Sequence, residues 1–180
     1  MKEMHYFVAL EKELENSFNY IEPETENMAC YGAKYSSLLN SISIEFESTC
    51  KTLIKIKEEE AKVGNIGDIK NYILKYFPKI CNSQVNIRRT NEFIKPLEDW
   101  ESSRLKWWDA YTNLKHNRIN NYSQANLKNV INAMGSLLII IAYLANYRDS
   151  NKLYGHSNLF FMESMPTTWI TEGGKLPDED

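Results

Sequence analysis

The sequence predicts a mainly α-helical fold, a bundle of about four main helices with a small β-hairpin and short C-terminal strands. Apolar residues recur every three or four positions through most of the 180 residues. One segment near residue 140 is apolar on every face, as the central helix of a bundle must be. Only one internal stretch alternates apolar and polar residues, and Gly (7) and Pro (5) are few.

Helical spacing of Tyr6, Phe7, Leu10, Leu14, Phe18 and Ile21 predicts a first helix from residue 2 to about 20, stopped by Glu22-Pro23-Glu24. A long second helix is expected from about 28 to 60. Its stripe is Tyr31, Tyr35, Leu38, Leu39, Ile42, Phe46, Cys50 and Leu53. On that stripe Cys50 reads as a buried, inert thiol. The charged run from Lys55 to Lys62 and Gly64-Asn65-Ile66-Gly67 end it. Asp68 is then expected to cap a short helix through Tyr76, closed by Pro78. Ser83 to Arg89 alternates, and with Phe93-Ile94 it predicts the hairpin, with Pro96 on an edge. Helical spacing returns from Ser102 to about Asn117. Ser123 is the expected cap of a last helix from Gln124 to about Tyr147. Leu159 to Phe161 and Trp169-Ile170 suggest short strands. Residues 1–170 thus read as one domain, and 171–180 as a flexible acidic tail.

Charge and cysteines narrow the function classes. Lys+Arg 21 against Asp+Glu 24 gives −3, so a broad basic surface for duplex DNA is not expected, and any nucleic-acid contact must be local. Cys30, Cys50 and Cys81 have no paired spacing, which disfavours disulfides and structural zinc. No signal peptide is read at the start. Gly135 to Ala145 is an apolar run of eleven residues, against the roughly 18–20 that a membrane span needs. The expectation is a cytoplasmic protein without metal or cofactor. His5, His116 and His156 belong to no paired ligand motif, and no Walker loop, dinucleotide fingerprint or nucleophile elbow is present.

The densest chemistry lies between Trp107 and Arg118. On a helix, Trp107, Tyr111 and Leu114 share a buried face. Asp109, Asn113 and His116 line a second. His116 could exchange a proton with a ribose hydroxyl while Lys115 or Arg118 stabilises a pentavalent phosphorane. The plainer reading is that these cations neutralise the last carbonyls of a helix. Glu45 borders the long stripe, where an ion pair with Lys115 or Arg118 is the simplest role and substrate orientation the other. Asn129 and Asn132 read as hydrogen-bonding glue between helices, or as part of a polar pocket with His116. Arg88-Arg89 reads as a solvated pair, with a nucleic-acid backbone contact as the alternative. Trp108 projects about 100° from Trp107, so it needs a second apolar surface: a symmetric partner, the hairpin, or Phe160-Phe161.

The segment Trp107-Trp108-x-x-Tyr111-x-x-Leu114-Lys115-His116-x-Arg118 resembles a group of small uncharacterised bacterial proteins. Ala125-Asn126-Leu127-x-Asn129-x-x-Asn132-Ala133 fits the same group, as do Tyr35-x-x-Leu38-Leu39, Glu45-Phe46-Glu47 and Lys51. Through that group the chain is loosely similar to HEPN-like helical bundles. The resemblance implies RNA cleavage, toxin–antitoxin pairing or phage defence, with sites shared across a two-fold dimer. It points to a metal-independent ribonuclease with Lys115, His116 and Arg118 as catalytic candidates and Asp109, Asn113, Glu45, Asn129 and Trp108 as substrate-binding ones. HEPN ribonucleases place Arg a few residues ahead of His; here His116 precedes Arg118, and Arg148 to His156 is wider. That reversal favours the alternative, a non-catalytic interaction or structural module acting as a homodimer or complex subunit.

Overall fold

Five α-helices and a three-stranded antiparallel sheet build the computed structural model, which describes residues 2–148, 157–162 and 178. The mainly helical bundle with a hairpin is therefore the observed fold class. Trp169, Ile170 and His156 lie outside the described residues. So does the expected tail, except Asp178, whose carboxylate accepts from Tyr143 Oη at 2.9 Å and Lys79 N at 2.7 Å.

Helix α1 (Lys2–Ser17) buries Met4, Phe7, Glu11 and Leu14. The expected stripe was turned too far, since Tyr6 is exposed and a carboxylate occupies a core position instead. Helix α2 (Ala33–Lys57) buries every expected apolar position from Tyr35 to Leu53. Cys50 is fully buried, which pushes its thiol pKa up and suits an inert role. The helix begins five residues later than its periodicity predicts. Residues 28–32 are instead laced to the segment before the last helix: Leu127 N donates to Cys30 O at 2.9 Å, Lys128 N to Met28 O at 3.0 Å and Gly32 N to Ala125 O at 3.2 Å. Tyr31, bridged to Asn126, is left exposed rather than on the stripe.

Helix α3 (Ile66–Tyr76) is capped by Asn65, not Asp68. Asn65 Oδ1 accepts from Gly67 N at 2.8 Å and Asp68 N at 3.2 Å, while Asp68 Oδ2 returns the bond to Asn65 N at 3.2 Å. This reciprocal box satisfies amides that the first helical turn leaves free. Asn65→Ala is expected to cost about 1 kcal/mol in urea unfolding, and Asn65→Ser much less.

Strands β1 (Val85–Ile87) and β2 (Glu92–Ile94) form the expected hairpin, with Asn86 opposite Phe93 and Asn91 at φ 58° in the turn. Strand β3 (Phe160–Phe161) adds to the other edge of β1. As the central strand, β1 is buried at all three positions, so its alternation does not mark a solvent face. Pro96 follows the edge strand and is buried; a Cβ on Gly135 would come within 3.3 Å of its Cγ, so the hairpin seats here only on glycine.

Helix α4 (Lys106–Asn121) starts later than Ser102 and breaks at Asn117, whose φ/ψ of −151°/76° is not helical. Ser123 is exposed; Asn126 caps α5 (Leu127–Tyr147), accepting from Asn129 N at 3.0 Å. α5 packs chiefly on α2, and also on α1 and α4. By length and composition it could cross a membrane, yet 83% of its most apolar stretch is buried inside the bundle.

Candidate functional site: a cationic cleft between α2 and α4

The first turns of α2 present Ala33, Ser36, Ser37 and Asn40 at i, i+3, i+4 and i+7, opposite its apolar stripe. From α4, Tyr111, Leu114, Lys115 and Arg118 face them, and Tyr122 closes the end. Together they line an open cleft of about 730 Å³. No acidic side chain lines it. Lys115 and Arg118 are exposed and make no ion pair among the described residues; the Lys115 ammonium lies 6.0 Å from the Tyr111 ring centroid. On a chain of net charge −3 this is a locally positive, anion-accepting surface.

Amide side chains stabilise the break in α4. Asn121 Nδ2 donates to Asn117 O at 2.8 Å and Asn113 O at 3.4 Å, and Asn120 N donates to Asn117 Oδ1 at 3.3 Å. Gln124 Nε2 donates to Asn121 Oδ1, and Asn113 Nδ2 donates to Gln124 Oε1, both at 3.0 Å. Carbonyls freed by the kink thus find donors.

The remaining sequence candidates do not join Lys115 and Arg118. His116 is exposed and does not line the cleft. Successive helical residues point about 100° apart, so a face holding 115 and 118 turns 116 aside. Asp109 lies 3.6 Å from Arg104 in an ion pair, and Asn113 is committed to Gln124. Asn129 Nδ2 donates to Gln124 O at 2.8 Å and Asn132 Nδ2 to Lys128 O at 2.8 Å. Both are local backbone bonds rather than glue between bundle helices or a pocket with His116.

Glu45 pairs with neither Lys115 nor Arg118. It lies beyond Asn40 on α2, half-buried near Glu3 of α1, and burial together with the Glu3 charge raises its carboxyl pKa. Glu3 in turn holds Arg148 at 2.9 Å. Arg89 forms a two-pronged pair with Glu22 at 2.6 and 2.7 Å, and Arg88 Nε donates to Phe160 O at 3.3 Å, so neither is simply solvated.

Trp107 and Trp108 are both buried, at 2% and 7% exposure. The two indoles stand edge-to-face at 5.7 Å, Phe46 of α2 packs on both with its centroid 5.0 Å from Trp107 and 6.1 Å from Trp108, and Tyr111 covers Trp108 at 5.2 Å. Adjacent tryptophans thus share one neighbour, whose ring meets one indole at 87° and the other at 52°. No symmetric partner is needed to bury Trp108.

Ser36, Ser37, Asn40 and Tyr122 were not among the sequence candidates. Their trace in the sequence is the polar i, i+3, i+4, i+7 row opposite the stripe of α2. Among the described residues no group of three or more His, Cys, Asp or Glu could hold a metal ion. Comparison with protein-family models, curated proteins and solved structures finds no match for the chain.

Proposed function

We propose that this protein is a cytoplasmic, HEPN-like RNA-directed protein of the phage-defence or toxin-associated kind, which holds RNA by its phosphates in the α2–α4 cleft. The observation that carries this reading is a cleft in which, among the described residues, no acid lines the wall and two cations, Lys115 and Arg118, make no ion pair, on an otherwise acidic chain. The resemblance of the Trp107 to Arg118 segment supplies the choice of RNA. The role proposed is binding without cleavage, since among the described residues no histidine or carboxylate lines the cleft to exchange a proton. Duplex DNA, whose affinity rests on many phosphate contacts, is not the expected ligand.

Fluorescence anisotropy of a short single-stranded RNA across a salt series tests this. Wild-type protein is expected to bind, and Lys115→Ala/Arg118→Ala to weaken binding at least about tenfold. The slope of log K against log salt should fall by about 1.4, for two contacts at about 0.7 each on a single strand. His116→Ala should change neither affinity nor melting temperature, and the RNA should remain intact. Absence of binding by the wild type sinks the proposal, and cleavage that vanishes in His116→Ala would reinstate a ribonuclease.

A further inference from the structure

We infer that Tyr31 and Tyr122 form a base-stacking platform beside the two cations, so that the cleft selects unpaired nucleotides over a bare phosphate chain. The inference rests on the RNA reading above and adds to it the part of the ligand that is not phosphate.

Tyr31 is 56% exposed on the segment that leads into α2. Exposed rings are common on this chain, Tyr6 and Tyr20 among them, and the distinction of Tyr31 is its fixed backbone and its ring contact. The flanking backbone is tied to residues 125–128 by the bonds of Cys30, Met28 and Gly32 and by the Tyr31–Asn126 bridge. Its ring stands edge-to-face on Tyr122, with centroids 5.7 Å apart and planes at 84°. Tyr122 lines the same cleft as Lys115 and Arg118. Tyr122 therefore shares the cleft with an ammonium and a guanidinium that make no ion pair among the described residues, and Tyr31 stands at right angles against it.

That juxtaposition matches the two halves of a nucleotide. Aromatic rings accept any base face, and cations take the adjoining phosphates. Side chains with little rotational freedom lose little entropy on capture. Ser36, Ser37 and Asn40 add hydroxyl and amide groups able to hydrogen-bond a base edge or ribose. The cleft volume of about 730 Å³ lies within the roughly 300–1,000 Å³ of small-molecule sites. It suits individual nucleotides rather than the side of a duplex.

The test compares single-stranded RNA with an abasic ribose-phosphate oligomer of the same length and charge, again by anisotropy. Wild-type protein should prefer the base-bearing strand by about 5- to 160-fold, the range of one stacked base. Tyr31→Ala should erase that preference while leaving abasic affinity, its salt slope and the melting temperature unchanged. Tyr31→Phe should retain the preference, because the ring and not the hydroxyl carries it. Equal wild-type affinity for both oligomers would overturn the platform while leaving phosphate binding in place. So would a Tyr31→Ala variant that weakens both ligands equally. Wild-type protein that binds neither oligomer would refute the RNA reading itself, and the platform with it.

Discussion

Leu138→Asp is expected to abolish folding. Leu138 is 1% exposed on α5, and every residue from Ala133 to Ala145 is buried around it. Losing the leucine contacts costs about 2–5 kcal/mol. An aspartate at that depth adds several kcal/mol more, since a buried carboxylate loses its hydration. Against a total stability of about 5–15 kcal/mol for a domain this size, the variant should give no soluble protein with native near-UV circular dichroism. Lys128→Asp is the control on the same helix. It is exposed in the first turn, where a negative charge suits the positive end of the helix. A cooperative native unfolding transition in Leu138→Asp would contradict the central place given to α5.

Glu11→Ala should be the next most damaging change. Glu11 is 1% exposed, and its carboxylate takes three donors from one short segment. Ser157 Oγ bonds Oε1, Asn158 N bonds Oε2 at 2.9 Å and Leu159 N bonds Oε1 at 3.1 Å, while Phe160 N donates to Ser157 Oγ at 2.8 Å. Truncation leaves the Ser157 hydroxyl and the Leu159 amide, both on buried residues, without that acceptor. The expected cost is about 3–5 kcal/mol by urea unfolding, the range for breaking one partner of a buried charged network.

The pH dependence has a definite sign. Burial raises the Glu11 carboxyl above its ordinary value of 4.5, and outweighs the opposing pull of Ser157, Asn158 and Leu159; nearby Glu15 adds to the rise. An acid with a raised folded value contributes stability that is complete below the unfolded value and is lost as pH climbs through the folded one. Stability attributable to Glu11 should therefore fall with rising pH just above 4.5. In Glu11→Gln that component should disappear, while the protein is less stable throughout, because the amide turns a donor toward donors. Unchanged urea midpoints for both variants would show that residues 157–160 dock without Glu11.

These two residues mark where sequence reading succeeds and fails. Leu138 sits in a run so apolar that no solvent-facing arrangement exists, and burial follows from composition alone. Glu11 lies at i+4 from Phe7 on a buried face, yet a lone glutamate in an N-terminal helix reads as solvated. Only distant donors make its burial tolerable, and periodicity carries no trace of them. The same limit moved the start of α2. Tyr31 continues the helical spacing, but residues 125–128 offer its neighbours backbone bonds that a helix cannot supply at the same time.

The cleft was half legible. Lys115 and Arg118 follow from three-residue spacing and from the resemblance of the segment they lie in. His116 drew attention by its chemistry, although its neighbour Lys115 already fixes a different face of the helix. Ser36, Ser37 and Asn40 were hidden because small polar residues opposite an apolar stripe look the same whether they meet water or a facing helix. Trp108 misled for the opposite reason: adjacent large rings suggest two separate partners until one phenylalanine is found serving both.

The Glu11 network also fixes an order of events at the ribosome. Ser157 is synthesised 146 residues after Glu11, a delay of roughly 7–30 s at about 5–20 residues per second. Throughout that interval the nascent first helix carries a carboxylate in the face it must bury, with its native donors not yet made. Vectorial folding can assemble α2, α3 and the hairpin meanwhile, but α1 has no complete seat to occupy. Its docking and the addition of the third strand then become a single late step, in which α1 is seated only once residues 157–160 have emerged.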